Sequence, residues 1–183
     1  MKQLISAMPI SWCNNLILEC QKHNVLPYTG NRDLTPDEPF YTDHIEQKRL
    51  AESAGYTLGN SIEFRHYYPN EHFDMSFIED FEHRLNIESF SSFVSELRPG
   101  KCAPWHWDIN PLFEKYKDRE IVRMICFIDK PKHGQAFLLE DECFYLEPQG
   151  SVYQYPSVKS WHAGFNAGLE TKFLFTISGF KKS

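Results

Sequence analysis

The stretch Lys172–Phe180 reads K-F-L-F-T-I-S-G-F and is dominated by aromatic and β-branched residues. Residues of these types favour a pleated, half-buried strand. Successive side chains of a strand point to opposite faces, so Lys172 should share a face with Thr176 and Ser178. The stretch therefore predicts a β-strand that carries a cation and two hydroxyl groups on one face.

Short β-like runs separated by turn residues precede this strand. Many short strands at such spacing indicate an antiparallel sandwich or barrel, and the jelly roll is a common solution at this size. We therefore predict a mainly β fold with flanking helices and a jelly-roll core over residues 91–183. The other predicted strands are Phe93–Leu97, Trp105–Asp108, Ile121–Ile128, Ala136–Leu139, Cys143–Leu146, Ser151–Tyr155 and Ser160–Phe165.

The first half of the chain has a more mixed pattern. We expect a single domain over residues 1–183, in which residues 1–90 form a helical and loop region that supports the core. Asp74 is a candidate N-cap. The candidate elements are helices at Leu16–His23, Asp43–Ala54 and Met75–Leu85 and a proline-containing loop at Asp33–Tyr41.

Composition excludes several classes of protein. The net charge of −6 argues against a general affinity for nucleic-acid backbone. No apolar stretch approaches the roughly 20 residues that cross a bilayer, and the N-terminus lacks a secretion pattern. The five cysteines form no C-x-x-C pair, and their number is odd. These features predict a cytoplasmic protein with reduced thiols and no membrane association.

A candidate metal site lies in the stretch Pro104–Asp108, which reads P-W-H-W-D. In a strand, His106 and Asp108 would share one face at a Cα separation of roughly 6 to 7 Å. His162, in S-W-H-A-G-F-N, is the candidate third ligand from a distant strand. Two imidazoles and one carboxylate suit Fe(II), Mn(II) or Zn(II) and leave coordination positions open.

An H-x-D triplet alone is weak evidence, because a second one occurs at His72–Asp74. There, Asp74 is better explained as a helix cap. His133 lies in an apparent turn, and Cys126 between apolar neighbours is expected to be a small buried residue. We expect structural or surface roles for the remaining histidines, which are His23, His44, His66 and His83.

The sequence P-G-K-C-A-P-W-H-W-D over Pro99–Asp108, followed by His162, Gly168 and Lys172, resembles a known pattern. It is similar to the entry of the double-stranded β-helix in the iron(II)- and 2-oxoglutarate-dependent dioxygenases, in their prolyl and aspartyl/asparaginyl hydroxylase branches. The resemblance covers about residues 92 to 180 and leaves the first half of the chain unmatched.

The resemblance implies that His106, Asp108 and His162 hold Fe(II) and that Lys172 pairs with the far carboxylate of 2-oxoglutarate. Arg123 resembles an arginine that some aspartyl-hydroxylase-like proteins direct at this cosubstrate. O2 is the second cosubstrate, and ascorbate is a candidate reductant. Two departures leave the branch open: lysine stands where arginine is usual, and Asp108 is present where aspartyl hydroxylases typically lack a carboxylate ligand.

The predicted activity is hydroxylation of a small molecule or of an amino-acid or peptide side chain. Two alternatives stay open, namely a cupin-type metal enzyme that does not use 2-oxoglutarate and a non-catalytic jelly-roll binding module. The sequence does not identify the substrate or the oligomeric state. Candidate lining residues of the site, besides the polar face of the last strand, are Trp107, Arg123, Tyr153 and Tyr155.

Overall fold

The computed structural model describes residues 4–27, 36 and 41–182. Its helices are α1 (Ile10–Gln21), α2 (Tyr41–Ser53), α3 (Ser76–Leu85) and the short α4 (Pro111–Lys115). Its strands are β1 (Leu4–Ala7), β2 (Arg65–Tyr67), β3 (Ile87–Leu97), β4 (Lys101–His106), β5 (Ile121–Cys126), β6 (Gln135–Leu139), β7 (Glu142–Tyr145), β8 (Ser151–Gln154), β9 (His162–Asn166) and β10 (Lys172–Lys181).

The strands form two antiparallel sheets. Six strands pair in the order β1-β8-β5-β10-β3-β2, and four pair in the order β4-β9-β6-β7. Sequential neighbours are often separated within a sheet, as expected when a chain alternates between the two sheets of a jelly roll. The prediction of a mainly β, jelly-roll fold with flanking helices is confirmed.

The two faces of β10 have different surroundings. Phe173, Phe175 and Ile177 belong to the main hydrophobic core, together with residues of α1 and α3 such as Leu16 and Phe81. The alternate residues line a cavity between the sheets; they are Lys172, Leu174, Thr176 and Ser178. The helices therefore cover the outer face of the six-stranded sheet, and the inner face is left for a site.

Most predicted elements are present with shifted ends. The helix expected at Leu16–His23 overlaps α1, which begins six residues earlier at Ile10 and ends at Gln21. Asp74 does support α3, since its Oδ1 accepts from the backbone N–H of Ser76 at 2.8 Å. Strands β1 and β2 were missed because they have only four and three residues. The predicted loop Asp33–Tyr41 lies almost wholly outside the described residues.

The strand predicted at Trp105–Asp108 is present, but its bounds are wrong. Strand β4 begins at Lys101 and ends at His106, so Asp108 follows it. Its pairing with β9 shifts register between Ala103 and His106. Pro104 lies within this interval, and proline has no N–H to donate to a ladder. Alternation along a strand therefore does not explain why Asp108 lies beside His106. The course of the chain after β4 places it there.

No helix among the described residues is long and apolar enough to cross a membrane. The division of the chain into a supporting first half and a core stays a prediction. Strands β1 and β2 do add to the six-stranded sheet, so the first half supplies strands as well as helices.

Phe175→Ala should destabilise the fold strongly. Phe175 is fully buried and its ring lies 5.9 Å from that of Phe81 on α3, so truncation leaves a cavity that the sheet cannot close. We expect a loss of about 3 to 5 kcal/mol in the free energy of unfolding, measured by chemical denaturation. Leu169→Ala is the control, because Leu169 is 96% exposed and should change stability very little.

Candidate metal centre

Antiparallel pairing of β4 with β9 brings the two candidate histidines together. His106 and His162 are register partners, and their ring centroids lie 4.4 Å apart. Asp108 reaches the same point: its Oδ1 lies 3.2 Å from His106 Nε2 and 3.6 Å from His162 Nε2. One ligand atom from each residue lies within 4.8 Å of the others. The three residues predicted from the sequence therefore converge.

Backbone contacts fix which nitrogen of each imidazole faces the centre. His106 Nδ1 lies 2.6 Å from the carbonyl oxygen of Pro104, and His162 Nδ1 lies 3.0 Å from that of Ser160. A carbonyl oxygen can only accept, so Nδ1–H donates in both rings. In a neutral imidazole, the lone pair is then on Nε2, which points at Asp108. This orientation by a second partner is usual for metal-binding histidines.

The charges at the centre favour a cation there. Burial, aided by the neighbouring His106, lowers the pKa of His162 to about 4, so its imidazole is neutral at pH 7. Burial opposes ionisation of Asp108, but the positive charge of Arg123 and contacts with His162 hold the pKa of this carboxyl well below its usual value. A carboxylate and the neutral imidazole of His162 thus face one another. These residues could hold a divalent metal ion on one side and leave its other side open.

Arg123 holds the second oxygen of the carboxylate. Its Nη2 donates to Asp108 Oδ2, while Oδ1 faces the histidines. The guanidinium is buried and lies over the ring of Tyr155 at 4.2 Å. This contact fixes Asp108 for binding through one oxygen and balances its charge before any metal arrives. Arg123 Nη1 has no hydrogen-bond partner among the described residues.

The centre opens into a cavity of about 870 Å³ between the sheets. Lys172 lines the same cavity and is 4% exposed. Its Nζ donates to the carbonyl oxygen of Ala136 at 2.5 Å, and no carboxylate of the described residues forms an ion pair with it. The ring of Phe137 lies between the candidate metal ligands and Lys172. Its centroid is 5.8 Å from that of the His162 ring and 5.9 Å from Lys172 Nζ.

The candidate lining residues from the sequence divide into two groups. Trp107, Arg123 and Tyr155 line the cavity as expected. Tyr153 does not: it packs against Phe127 and Phe144. Structural or surface roles were expected for His44 and His66, yet both line the cavity. Of these, His66 is partly buried, and burial lowers its pKa to about 4.

The glycine of the sequence pattern has a steric reason. A Cβ at Gly168 would lie 2.5 Å from the carbonyl oxygen of His133. The loop between β9 and β10 therefore packs directly on the loop before β6, and a side chain at this position would separate them. This close approach sets where β10 begins, and so where Lys172 lies.

Tryptophans surround the candidate ligands. Trp105 and Trp107 flank His106 in the sequence, and Trp161 precedes His162. The rings of Trp105 and Trp161 are stacked, with centroids 6.4 Å apart and an interplanar angle of 16°. Trp105 is 42% exposed, whereas Trp107 is buried.

No protein-family model matches the sequence, and no curated protein matches it. Solved structures resemble its fold. A prolyl-4-hydroxylase of Pseudomonas putida has a TM-score of 0.52 and 16% identity, covering 100% of this chain and 92% of its own. A viral collagen prolyl hydroxylase of Paramecium bursaria Chlorella virus-1, in complex with 2OG, has a TM-score of 0.48 and 12% identity. The match covers 99% of this chain and 96% of the viral one.

A third structure is a cupin 2 conserved barrel domain protein from Rhodopseudomonas palustris, with a TM-score of 0.41 and 11% identity over 87% of this chain and 72% of its own. At these identities the likeness shows the fold alone. The chain has a barrel-like fold similar to that of the Pseudomonas putida prolyl-4-hydroxylase, and any activity has to be argued from its own side chains.

Replacing any one of the three converging residues should remove tight metal binding. We expect His106→Ala, Asp108→Ala and His162→Ala each to lose stoichiometric binding of Fe(II) under anaerobic conditions, with the fold retained, because two ligands no longer define a site. Calorimetric titration with Mn(II) offers an air-stable measurement. His133→Ala is the control, since His133 is exposed and its ring contacts Tyr145. Full binding by His162→Ala would show that the distal ligand is another residue.

Binding of a dicarboxylate should take up a proton at Lys172. Burial lowers the pKa of Lys172 to about 7, although Asp129 and Cys143 act in the opposite direction. An anion beside the ammonium raises this pKa, so the affinity of the cavity for a dicarboxylate should fall as the pH rises from about 6 to about 9. Calorimetry at about pH 8 in buffers of different ionisation enthalpy measures the uptake. Lys172→Arg should abolish the uptake, because arginine stays protonated; an unchanged uptake would assign it to another group.

Proposed function

We propose that this protein is a non-haem Fe(II)- and 2-oxoglutarate-dependent dioxygenase that hydroxylates a small molecule or an amino-acid or peptide side chain. One observation carries the proposal: three convergent metal-binding side chains and a buried lysine without a carboxylate partner line the same cavity. The first group suits a divalent iron ion, and the second suits an anion. A 2-oxoglutarate molecule needs both at once.

Lys172 is the part of the site that a simple metal protein does not explain. An ammonium group has three N–H donors, and in the part of the chain that the structure describes only one of them has an acceptor, the carbonyl oxygen of Ala136. A buried cation without a counter-charge is costly, so this position favours a protein that binds an anion. The far carboxylate of 2-oxoglutarate provides that charge, and its other end would then face His106, Asp108 and His162.

Bound at this centre, Fe(II) would use 2-oxoglutarate and O2 to form succinate and CO2, with the second oxygen atom inserted into a substrate C–H bond. The protein side chains have simpler tasks. Arg123 keeps Asp108 ionised and correctly oriented. Lys172 fixes the position of the cosubstrate. Ile125, Phe137 and Leu174 provide apolar walls that limit the access of water.

The test is the formation of succinate from 2-oxoglutarate by the purified protein with Fe(II), ascorbate and O2, together with a mass-spectrometric search for a product 16 Da heavier. Lys172→Ala should raise the apparent constant for 2-oxoglutarate at least tenfold while metal binding is retained, because a buried charge pair is lost. Lys172→Arg should be milder, since the cation is kept.

Other outcomes would contradict the proposal in distinct ways. Stoichiometric metal binding without any dependence on 2-oxoglutarate would favour a cupin-type metal enzyme. A protein that binds neither metal nor 2-oxoglutarate would be a jelly-roll binding module. If Lys172→Ala used 2-oxoglutarate with an unchanged constant, Arg123 would be the next candidate anchor, through its unpartnered Nη1.

A further inference from the structure

The cavity has room for more than the cosubstrate. Its volume of about 870 Å³ lies in the upper part of the range of about 300 to 1,000 Å³ typical of sites for drug-sized ligands. A five-carbon dicarboxylate between Lys172 and the metal ligands fills only part of it. The residues that line the rest of the cavity therefore indicate what kind of second molecule could bind there.

One of these walls consists of aromatic rings, and we call it the aromatic wall. Phe64, His66 and Tyr68 occupy alternate positions along and beside β2, and Phe93 of β3 faces them. The ring of His66 lies 4.5 Å from that of Phe93 and 5.0 Å from that of Phe64, centroid to centroid. All four rings line the cavity. Such a surface favours a ring, because aromatic pairs are more stable than the area that they bury accounts for.

Helix α2 forms a polar side of the same cavity. His44, Gln47, Lys48 and Ala51 line it, and their spacing is that of a single helix face. The apolar residues of α2 are elsewhere: Ile45 and Leu50 are 46% and 43% exposed. This orientation is the reverse of a helix that packs on a core, and it presents hydrogen-bonding groups to whatever occupies the cavity.

Gln47 carries a donor that lacks an acceptor. Its Nε2 is buried and has no hydrogen-bond partner among the described residues. Among the described residues, only two other buried side-chain nitrogens lack a hydrogen-bond partner, Arg65 Nη1 and Arg123 Nη1. Of these two, Arg65 Nη1 lies 3.1 Å from a carboxylate oxygen of Glu63. A buried donor without a partner destabilises a protein, because it has lost its hydrogen bonds to water and gained none. An oxygen of a bound molecule would remove this cost.

We propose that the cavity binds a molecule with an aromatic ring, which lies on the aromatic wall, and with a carboxylate or amide carbonyl oxygen, which accepts a hydrogen bond from Gln47 Nε2. The identification of this molecule as the substrate rests on the proposed dioxygenase function. Its binding in the cavity is independent of that function. Gln47 is then a specificity-determining residue, and α2 is the element that recognises the polar end of the substrate.

The test is calorimetric titration of the full chain with 3-phenylpropanoate, 3-phenylpropanamide and 3-phenylpropylamine, both without metal and with Mn(II) and 2-oxoglutarate. The carboxylate and the amide should bind, and the amine, which can only donate, should bind at least tenfold more weakly. Gln47→Leu should weaken the amide roughly three- to tenfold and the carboxylate roughly ten- to a hundredfold. Comparison of the two probes tells which oxygen chemistry the site prefers.

Matched variants separate recognition from folding. Gln47→Glu keeps the size of the side chain but repels a carboxylate, so it should weaken 3-phenylpropanoate more than 3-phenylpropanamide. Arg49→Leu is the control on α2, because Arg49 points to solvent and pairs with Glu46 at 2.7 Å; it should change neither affinity. Phe93→Leu should weaken the phenyl probes more than hexanoate, which has no ring.

Three results would overturn the proposal: equal binding of the amine, unchanged affinities in Gln47→Leu, or hexanoate bound as tightly as 3-phenylpropanoate. Because the metal-free titration does not depend on iron chemistry, its outcome is distinct from that of the succinate assay. Ring binding without succinate formation would reject the dioxygenase and keep the site. Succinate formation without binding of the phenyl probes would keep the dioxygenase function and reject the proposed aromatic site.

Discussion

The pairing of β10 with both β3 and β5 is the constraint on which the rest of the structure depends. A strand with neighbours on both edges has only its two faces left for side chains, and alternation assigns each residue to one of them. Phe173, Phe175 and Ile177 therefore meet the helices, and the intervening residues meet the cavity. The same strand thus contributes to the stability of the sheet and carries the cation at its first residue, Lys172.

The centre is built from groups whose charges compensate in pairs. Asp108 and Arg123 cancel each other before a ligand is present. A divalent ion and a dicarboxylate would cancel in the same way, which leaves the ammonium of Lys172 as the excess charge in a buried site. Burial of this ammonium group is what lowers its pKa. A monoanionic substrate would complete the compensation, and buried charges are stable only when they are paired and hydrogen-bonded.

Much of this arrangement could be predicted from the sequence because strands alternate and turns are marked by glycine and proline. The β10 stretch, the histidines and Lys172 all came from such local patterns. The convergence of Asp108 with the histidines was predicted as well, but from alternation along a strand; in the structure β4 ends at His106 after an interruption of the ladder near Pro104, and the chain after it brings Asp108 to the centre. The lining role of His66 and Gln47 was missed. Their positions depend on where β2 and α2 lie against a distant part of the chain, and neither segment has a periodic apolar signal strong enough to show it.

The tryptophans beside the candidate ligands in the sequence have a spectroscopic consequence. The chain has four tryptophans, and three of them are sequence neighbours of His106 or His162. Only Trp12 lies elsewhere, on α1, with the guanidinium of Arg84 at 5.0 Å from its ring. The intrinsic emission of the protein therefore originates mainly beside the centre. A paramagnetic ion placed between the histidines would quench it through short distances, so the protein contains its own optical reporter of metal occupancy.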